Sequence, residues 1–193
     1  LILTAFDQDN GTGTTTFGGA VNTNTAAGVV VNNAILAVNA AVTTTSNGVV
    51  TFTQTGNTVI AAAGDIVSDG AVTITSGGLT TAGDITTTAD QIQFVSATTL
   101  AGNVALVSAG GVVRFDNTLN GTNGGAVENL TITAAGGNVT FTGAVGGGER
   151  LGTLNIVTAA NVTAAALTLT AFDQDAGTGT TTFNGAVNTD TAA

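Results

Sequence analysis

The sequence predicts an all-β fold, a parallel β-helix (β-solenoid) with about 20 residues per rung and roughly eight rungs per 166-residue tandem unit. Three observations predict it. Glycines stand at even intervals, at positions 64, 83, 102 and 121. Short runs such as VTFT (50–53), LTIT (130–133) and LTLT (167–170) alternate apolar residues with Thr, which puts one side chain type on each face of a strand. Finally, residues 1–27 recur at 167–193 with only four differences: Ile2/Thr168, Asn10/Ala176, Gly18/Asn184 and Asn24/Asp190. Residues 1–166 therefore read as one complete tandem unit and 167–193 as the start of the next, with no independent domain boundary.

Taken in order, Leu1–Phe6 and Thr14–Val21 read as strands flanking a turn at Asp7–Gly13, where Asp and Asn can bond their own backbone. Val29–Val31, Ala34–Val38, Ala41–Thr45, Val49–Thr53 and Thr58–Ala62 follow as short β-branched runs. Between the spaced glycines, each segment has a small polar residue after Gly (Asp65, Asp84, Asn103) and then Ile66, Ile85 or Val104. An alternating apolar pair follows in each (Val72/Ile74, Ile92/Phe94, Val113/Phe115), and a lone Leu closes it (Leu79, Leu100, Leu119). A glycine-rich loop at 121–125 precedes Asn129–Thr133. Asn138–Val145, Leu151–Val157, Asn161–Ala164 and Leu167–Phe172 complete the unit, and Gly146–Arg150 forms a wider loop. Phe17, Phe141 and Phe183 share a local context and read as core residues stacked between outward Thr side chains. Arg114 and Asp116 flank Phe115 on the outer side and are spaced to pair.

Composition narrows the function. Twelve acids face two arginines, a formal charge of −10, and there is no His, Cys, Pro, Met, Trp or Tyr. Nucleic acid needs a basic surface to release counterions, and anionic membrane needs one to be attracted, so neither is an expected partner. No apolar run reaches about 18 residues, so no membrane-spanning segment is expected, and no signal-peptide pattern opens the chain. The chain begins at Leu1, which reads as a piece of something longer. Without His, Cys or Lys, the usual bases and nucleophiles are missing and the chain does not read as an enzyme. Lack of Pro suits a stack in which nearly every backbone N–H is donated to the next rung.

One motif invites a metal. Asp7-x-Asp9-x-Gly11 and its copy Asp173-x-Asp175-x-Gly177 resemble the start of an acidic Ca²⁺ loop, since Ca²⁺ takes several oxygen ligands. The full loop pattern with its later Glu is missing and Asn10 becomes Ala176, so turn chemistry alone also accounts for these acids. Outward T-x-T pairs at 51–53, 73–75, 131–133, 140–142 and 168–170 raise ice binding as a further reading, although their spacing does not follow the rung.

The segments NVTFTGAVGGGERLGTLNI (138–156), GTTTFNGAVNT (179–189), GDITTTADQIQF (83–94) and LAGNVALVSAGG (100–111) resemble the repeats of giant bacterial surface proteins of the filamentous-haemagglutinin-like and autotransporter-adhesin type. The resemblance implies a right-handed parallel β-helix, export to the cell surface, and scaffold or adhesive duty, and it supplies no site residues. Natural solenoids end in polar caps, whereas the two ends of this chain copy each other. That combination leads us to expect a segment of a long extracellular fibre or stalk, stacked end to end with neighbouring copies or continuing repeats. The alternative is an adhesive module gripping glycan or another cell, with or without Ca²⁺.

Overall fold

The computed structural model describes residues 2–122 and 127–189. Every regular element among them is a β-strand. In chain order these are β1 (Ile2–Leu3), β2 (Phe6–Gln8), β3 (Thr14–Phe17), β4 (Val21–Thr23), β5 (Val29–Asn33), β6 (Ile35–Val38), β7 (Val42–Thr44), β8 (Val50–Gln54) and β9 (Asn57–Ile60). Then come β10 (Ile66–Ser68), β11 (Val72–Thr75), β12 (Gly78–Thr81), β13 (Ile85–Thr87), β14 (Ile92–Phe94), β15 (Thr98–Leu100), β16 (Val104–Ser108), β17 (Val113–Phe115) and β18 (Leu119–Asn120). The last are β19 (Leu130–Thr133), β20 (Val139–Phe141), β21 (Leu151–Ala159), β22 (Val162–Ala164), β23 (Leu167–Gly177), β24 (Thr181–Phe183) and β25 (Val187–Asn188).

The strands lie on three faces that the chain visits in fixed rotation. The first face stacks β1-β4-β7-β10-β13-β16-β19-β21-β23, and the second β2-β5-β8-β11-β14-β17-β20-β22-β24. The third stacks β3-β6-β9-β12-β15-β18 and continues through the bridges Leu119–Val145 and Val145–Leu167 to Val187 of β25. Strand β23 thus begins on the third face and turns the corner onto the first. All pairings are parallel, and the result is a β-solenoid of about nine turns, as the alternation and turn chemistry predicted.

Period-two side chains fill the interior as columns. On the second face Val29, Val50, Val72, Ile92, Val113, Val139 and Val162 stack in register, and beside them run Val31, Phe52, Ile74, Phe94, Phe115, Phe141 and Ala164. All fourteen are buried. Three phenyl rings follow the rung spacing: Phe94 and Phe115 stack at 4.6 Å, Phe115 and Phe141 at 5.2 Å.

Several sequence expectations are corrected by the register. The even glycine interval is not the turn length. Ile66 pairs with Ile85 and so keeps that interval, but Ile85 pairs with Leu106 rather than Val104, and Leu106 with Ile132, a longer step each time. Hydrogen bonding and stacking set the register, and surplus residues bulge out at corners. The closing leucines split likewise: Leu79 and Leu119 share a column through Thr98, while Leu100 follows Thr81. Leu1–Phe6 is not one strand, since β1 and β2 lie on different faces, and Thr14–Val21 is divided between β3 and β4. A face holds only two or three inward side chains, so longer alternating runs are cut by a corner. Asn138–Val145 reduces to β20 plus the bridge at Val145. Of the loop expected at 121–125, residues 123–125 lie outside the described residues.

The rule of Thr outward also has exceptions. Thr23, Thr44, Thr58, Thr81, Thr87 and Thr98 are buried, with Ser68 and Ser108. At corners these inward hydroxyls are satisfied by donating to backbone carbonyls of the turns. Thr87 Oγ1 donates to the Asp90 carbonyl at 2.6 Å and Ser108 Oγ to the same oxygen at 3.0 Å. Ser68 Oγ donates to the Gly48 carbonyl at 3.0 Å.

Candidate functional site: faces, corners and open ends

The outward side chains form columns too. On the second face Thr51, Thr73, Gln93, Arg114, Thr140, Thr163 and Thr182 follow one another. The T-x-T pairs 51–53 and 73–75 do lie in register, residue on residue. The next two rungs interrupt them: Gln93 Nε2 donates to Asp116 Oδ2 at 2.6 Å, and the Arg114 guanidinium donates to Asp116 Oδ1. The expected Arg114–Asp116 pair is therefore present, on a surface where such a contact contributes ~0–1 kcal/mol. The in-register T-x-T array is two rungs deep. On the first face the outward column mixes types, Thr43, Val67, Thr86, Val107 and Thr133.

At the corners run amide and carboxylate ladders. Asp65 Oδ1 accepts from the Asp84 N–H at 2.9 Å, and Asp84 Oδ1 from the Ala105 N–H at 2.7 Å. Asn103 Oδ1 accepts from both the backbone N–H and the Nδ2 of Asn129, and Asn129 Oδ1 accepts from the Thr153 N–H at 2.7 Å. A second ladder runs from Asn138 to Asn161 to the Thr180 N–H. Each side chain imitates a backbone carbonyl for the rung above, where the chain is turning and the main-chain ladder lapses. The small polar residue after each spaced glycine was visible in the sequence, whereas its partner on the next rung was not. A shallow groove beside the first ladder is lined by Asp84, Asn103, Val104, Ala105, Asn129 and Thr131.

The four aspartates of the calcium-like motif lie near opposite ends of the rod. Asp7 points outward on the second face in the first turn, beside Val30. Asp173 points outward on the first face in the ninth turn, beside Asn155. Asp9 and Asp175 are exposed as well. Asn10 takes a left-handed conformation (φ 52°) while its counterpart Ala176 lies within β23. Among the described residues no three His, Cys, Asp or Glu side chains gather into a group that could hold a metal ion. Within the chain the two motifs do not meet.

One acid went unremarked in the sequence. Glu128 is 5% exposed, and the Thr122 hydroxyl donates to its Oε1. Its only advance signal was rarity, as one of two glutamates in the chain. Glu149 and Arg150 do not form a pair of their own here, and Arg150 Nη1 donates to the Leu169 carbonyl at 2.8 Å. No helix among the described residues is long and apolar enough to cross a membrane.

Both ends are open. The first turn exposes the outer edge of β1, β2 and β3, and the ninth that of β23, β24 and β25. Two of the three expected core phenylalanines are buried, Phe17 at 5% and Phe141 at 1%, but Phe183 in the ninth turn is 41% exposed, as is Val187 at 44%. Comparison with protein-family models, with curated proteins and with solved structures gave no match for this chain.

Proposed function

We propose that the chain is a structural segment of a long extracellular bacterial fibre or stalk, a surface scaffold of the adhesin kind in which stacked turns set length and stiffness. The observation that carries this reading is the continuous parallel stack, nine turns on three faces. Each rung is hydrogen-bonded to the next on every face, so bending the rod means breaking ladders on one side. Nine rungs at ~4.8 Å give a segment ~43 Å long. The acidic surface keeps parallel rods apart laterally. Non-enzymatic duty fits the absence of His, Cys and Lys from the chain.

Electron microscopy of the native material tests this. Fibres with a ~4.8 Å axial reflection are expected. Separate globular beads without that spacing would overturn the reading.

The groove lined by Asp84 and the Asn103–Asn129 ladder favours a second reading, an adhesive face that holds polar ligands such as glycans. Under that reading, Asn129→Ala abolishes adhesion of cells displaying the protein while the circular dichroism of the chain is unchanged.

A further inference from the structure

The two near-identical copies, residues 1–27 and 167–193, share their main side-chain contacts, differ where Asn10 turns and Ala176 stays in β23, and are seated differently. Phe6 meets Phe17 edge to face at 5.2 Å, and Phe172 meets Phe183 edge to face at 5.2 Å. Thr15 Oγ1 donates to Gln8 Oε1 at 2.6 Å, and Thr181 Oγ1 to Gln174 Oε1 at 2.6 Å. These contacts are thus intact in both. Yet Phe6 lies on the second face against Val29, and Phe172 on the first against Leu154. Phe17 lies on the third face against Val38, and Phe183 on the second against Ala164. Val21 lies on the first face and Val187 on the third. At Phe172, Phe183 and Val187 the second copy sits one face back. From β2 in the first turn to β23 in the ninth is eight turns less one face, so the sequence period spans seven turns and two-thirds.

The first copy also shows what belongs on top of such a unit. There Val29 covers Phe6, Ile35–Val38 cover Thr14–Phe17, and Val42 covers Val21. Phe17 is 5% exposed in consequence, whereas its counterpart Phe183, in the last described turn, is 41% exposed.

We propose that the C-terminal edge accepts residues 28–44, which hold β5 to β7, of another copy of this chain, with residues 167–189 of one molecule taking the place that residues 1–23 hold in the next. The proposal rests on the reading of the chain as a stacking segment and adds the joint. Exchange of an identical element between molecules is a low-cost route to assembly, because the contacts given up are remade. Here the exchanged segments differ at only three of the positions concerned: 2/168, 10/176 and 18/184. The joint is head to tail, so it does not close on itself and grows a filament. Each molecule is turned by one face, about a third of a revolution, and advances seven turns and two-thirds, ~37 Å at ~4.8 Å per rung. Stacking like face on like face would instead continue the Phe183 column with Gln8 and the Val187 column with Thr15. It would leave a polar side chain over each exposed apolar one, with an advance of ~43 Å and no rotation.

The test uses the purified 193-residue chain, which has no cysteine of its own. At the exchange joint Thr182 takes the place of Thr16 beside Ala37 of the neighbour, an adjacent-strand spacing of ~4.8 Å that a disulfide spans. Oxidation of the A37C/T182C variant should give a ladder of covalent oligomers. The D7C/T182C variant, which reports like-on-like stacking, should give none, and circular dichroism verifies that both variants fold. Helical reconstruction of the filaments should return a rise of ~37 Å with a one-face rotation. A rise of ~43 Å without rotation, or cross-linking in D7C/T182C instead, overturns the joint and leaves the rod reading standing. A chain that stays monomeric at every concentration also overturns the joint, while the rod reading keeps its own test on native material.

Discussion

Truncating Phe115 to Ala probes the aromatic column at its centre. Phe115 is 1% exposed, and its ring lies 4.6 Å from Phe94 and 5.2 Å from Phe141, with interplanar angles of 20° and 12°. Removing a buried Phe costs ~3–5 kcal/mol when the surroundings cannot collapse. Here they cannot, because the backbone pairings Phe94–Phe115 and Phe115–Phe141 hold the neighbouring rungs at ladder distance. Both ring–ring contacts disappear together, each worth ~0.5–1.5 kcal/mol beyond burial. The upper part of the range, about 4–5 kcal/mol, is therefore expected. Phe183→Ala is the internal control: the same chemistry at a 41% exposed position in the last turn, which should lose about 1 kcal/mol. With no Trp or Tyr in the chain, urea unfolding followed by far-ultraviolet circular dichroism is the suitable assay. A loss below about 1 kcal/mol for F115A, or equal losses for the two variants, would refute the stacked-core argument.

Other perturbations separate contact from composition. A Cβ on Gly137 would meet the Gly111 carbonyl oxygen at 2.0 Å, whereas one on Gly13 meets nothing within 4 Å. Gly137→Ala should therefore lower the thermal midpoint by several degrees and Gly13→Ala leave it within about a degree. Asn103→Ala removes the acceptor for two donors of Asn129 and should cost about 1 kcal/mol by chemical denaturation, with a change below about 0.3 kcal/mol counting against the ladder. The Asn47 N–H at 2.8 Å and then the Thr88 hydroxyl hold the Asp69 carboxyl below its ordinary value of 3.8. A depressed folded pKa gives stability that is present above the unfolded value and lost as pH falls through the folded one, so Asp69→Asn should flatten the melting-temperature profile only below about pH 4. Millimolar Ca²⁺ should leave the melting temperature unchanged, since Asp7 and Asp9 lie far from Asp173 and Asp175; a rise of several degrees that D7N/D9N removes would instead establish a site.

Much of this architecture was legible in the residues themselves. Alternation in VTFT and LTIT determined which side chains of β8 and β19 point inward, because successive residues of a strand face opposite ways whatever surrounds them. The pairs Val72/Ile74, Ile92/Phe94 and Val113/Phe115 stack as their sequence alignment implied. The candidate surface was legible only in part. Asp65, Asp84 and Asn103 stood out one at a time, but a ladder exists only between rungs. Rung partners keep no constant interval along the chain, as the short step from Ile66 to Ile85 and the long one from Leu106 to Ile132 show.

What the tertiary structure alone decided is which face each strand occupies. The local sequence determines a strand–turn–strand unit, and both copies keep the same Phe–Phe and Gln–Thr contacts although the strand runs on through Gly177 in the second. Its seat on the solenoid depends on the summed lengths of all the turns before it, including the long one between β16 and β19, and that sum falls one face short of eight revolutions. Strand conformation is a property of neighbouring residues along the chain. Face and register are properties of the stack, set by hydrogen bonds and side-chain packing between turns, which is why two copies of one sequence lie on different faces of the same rod.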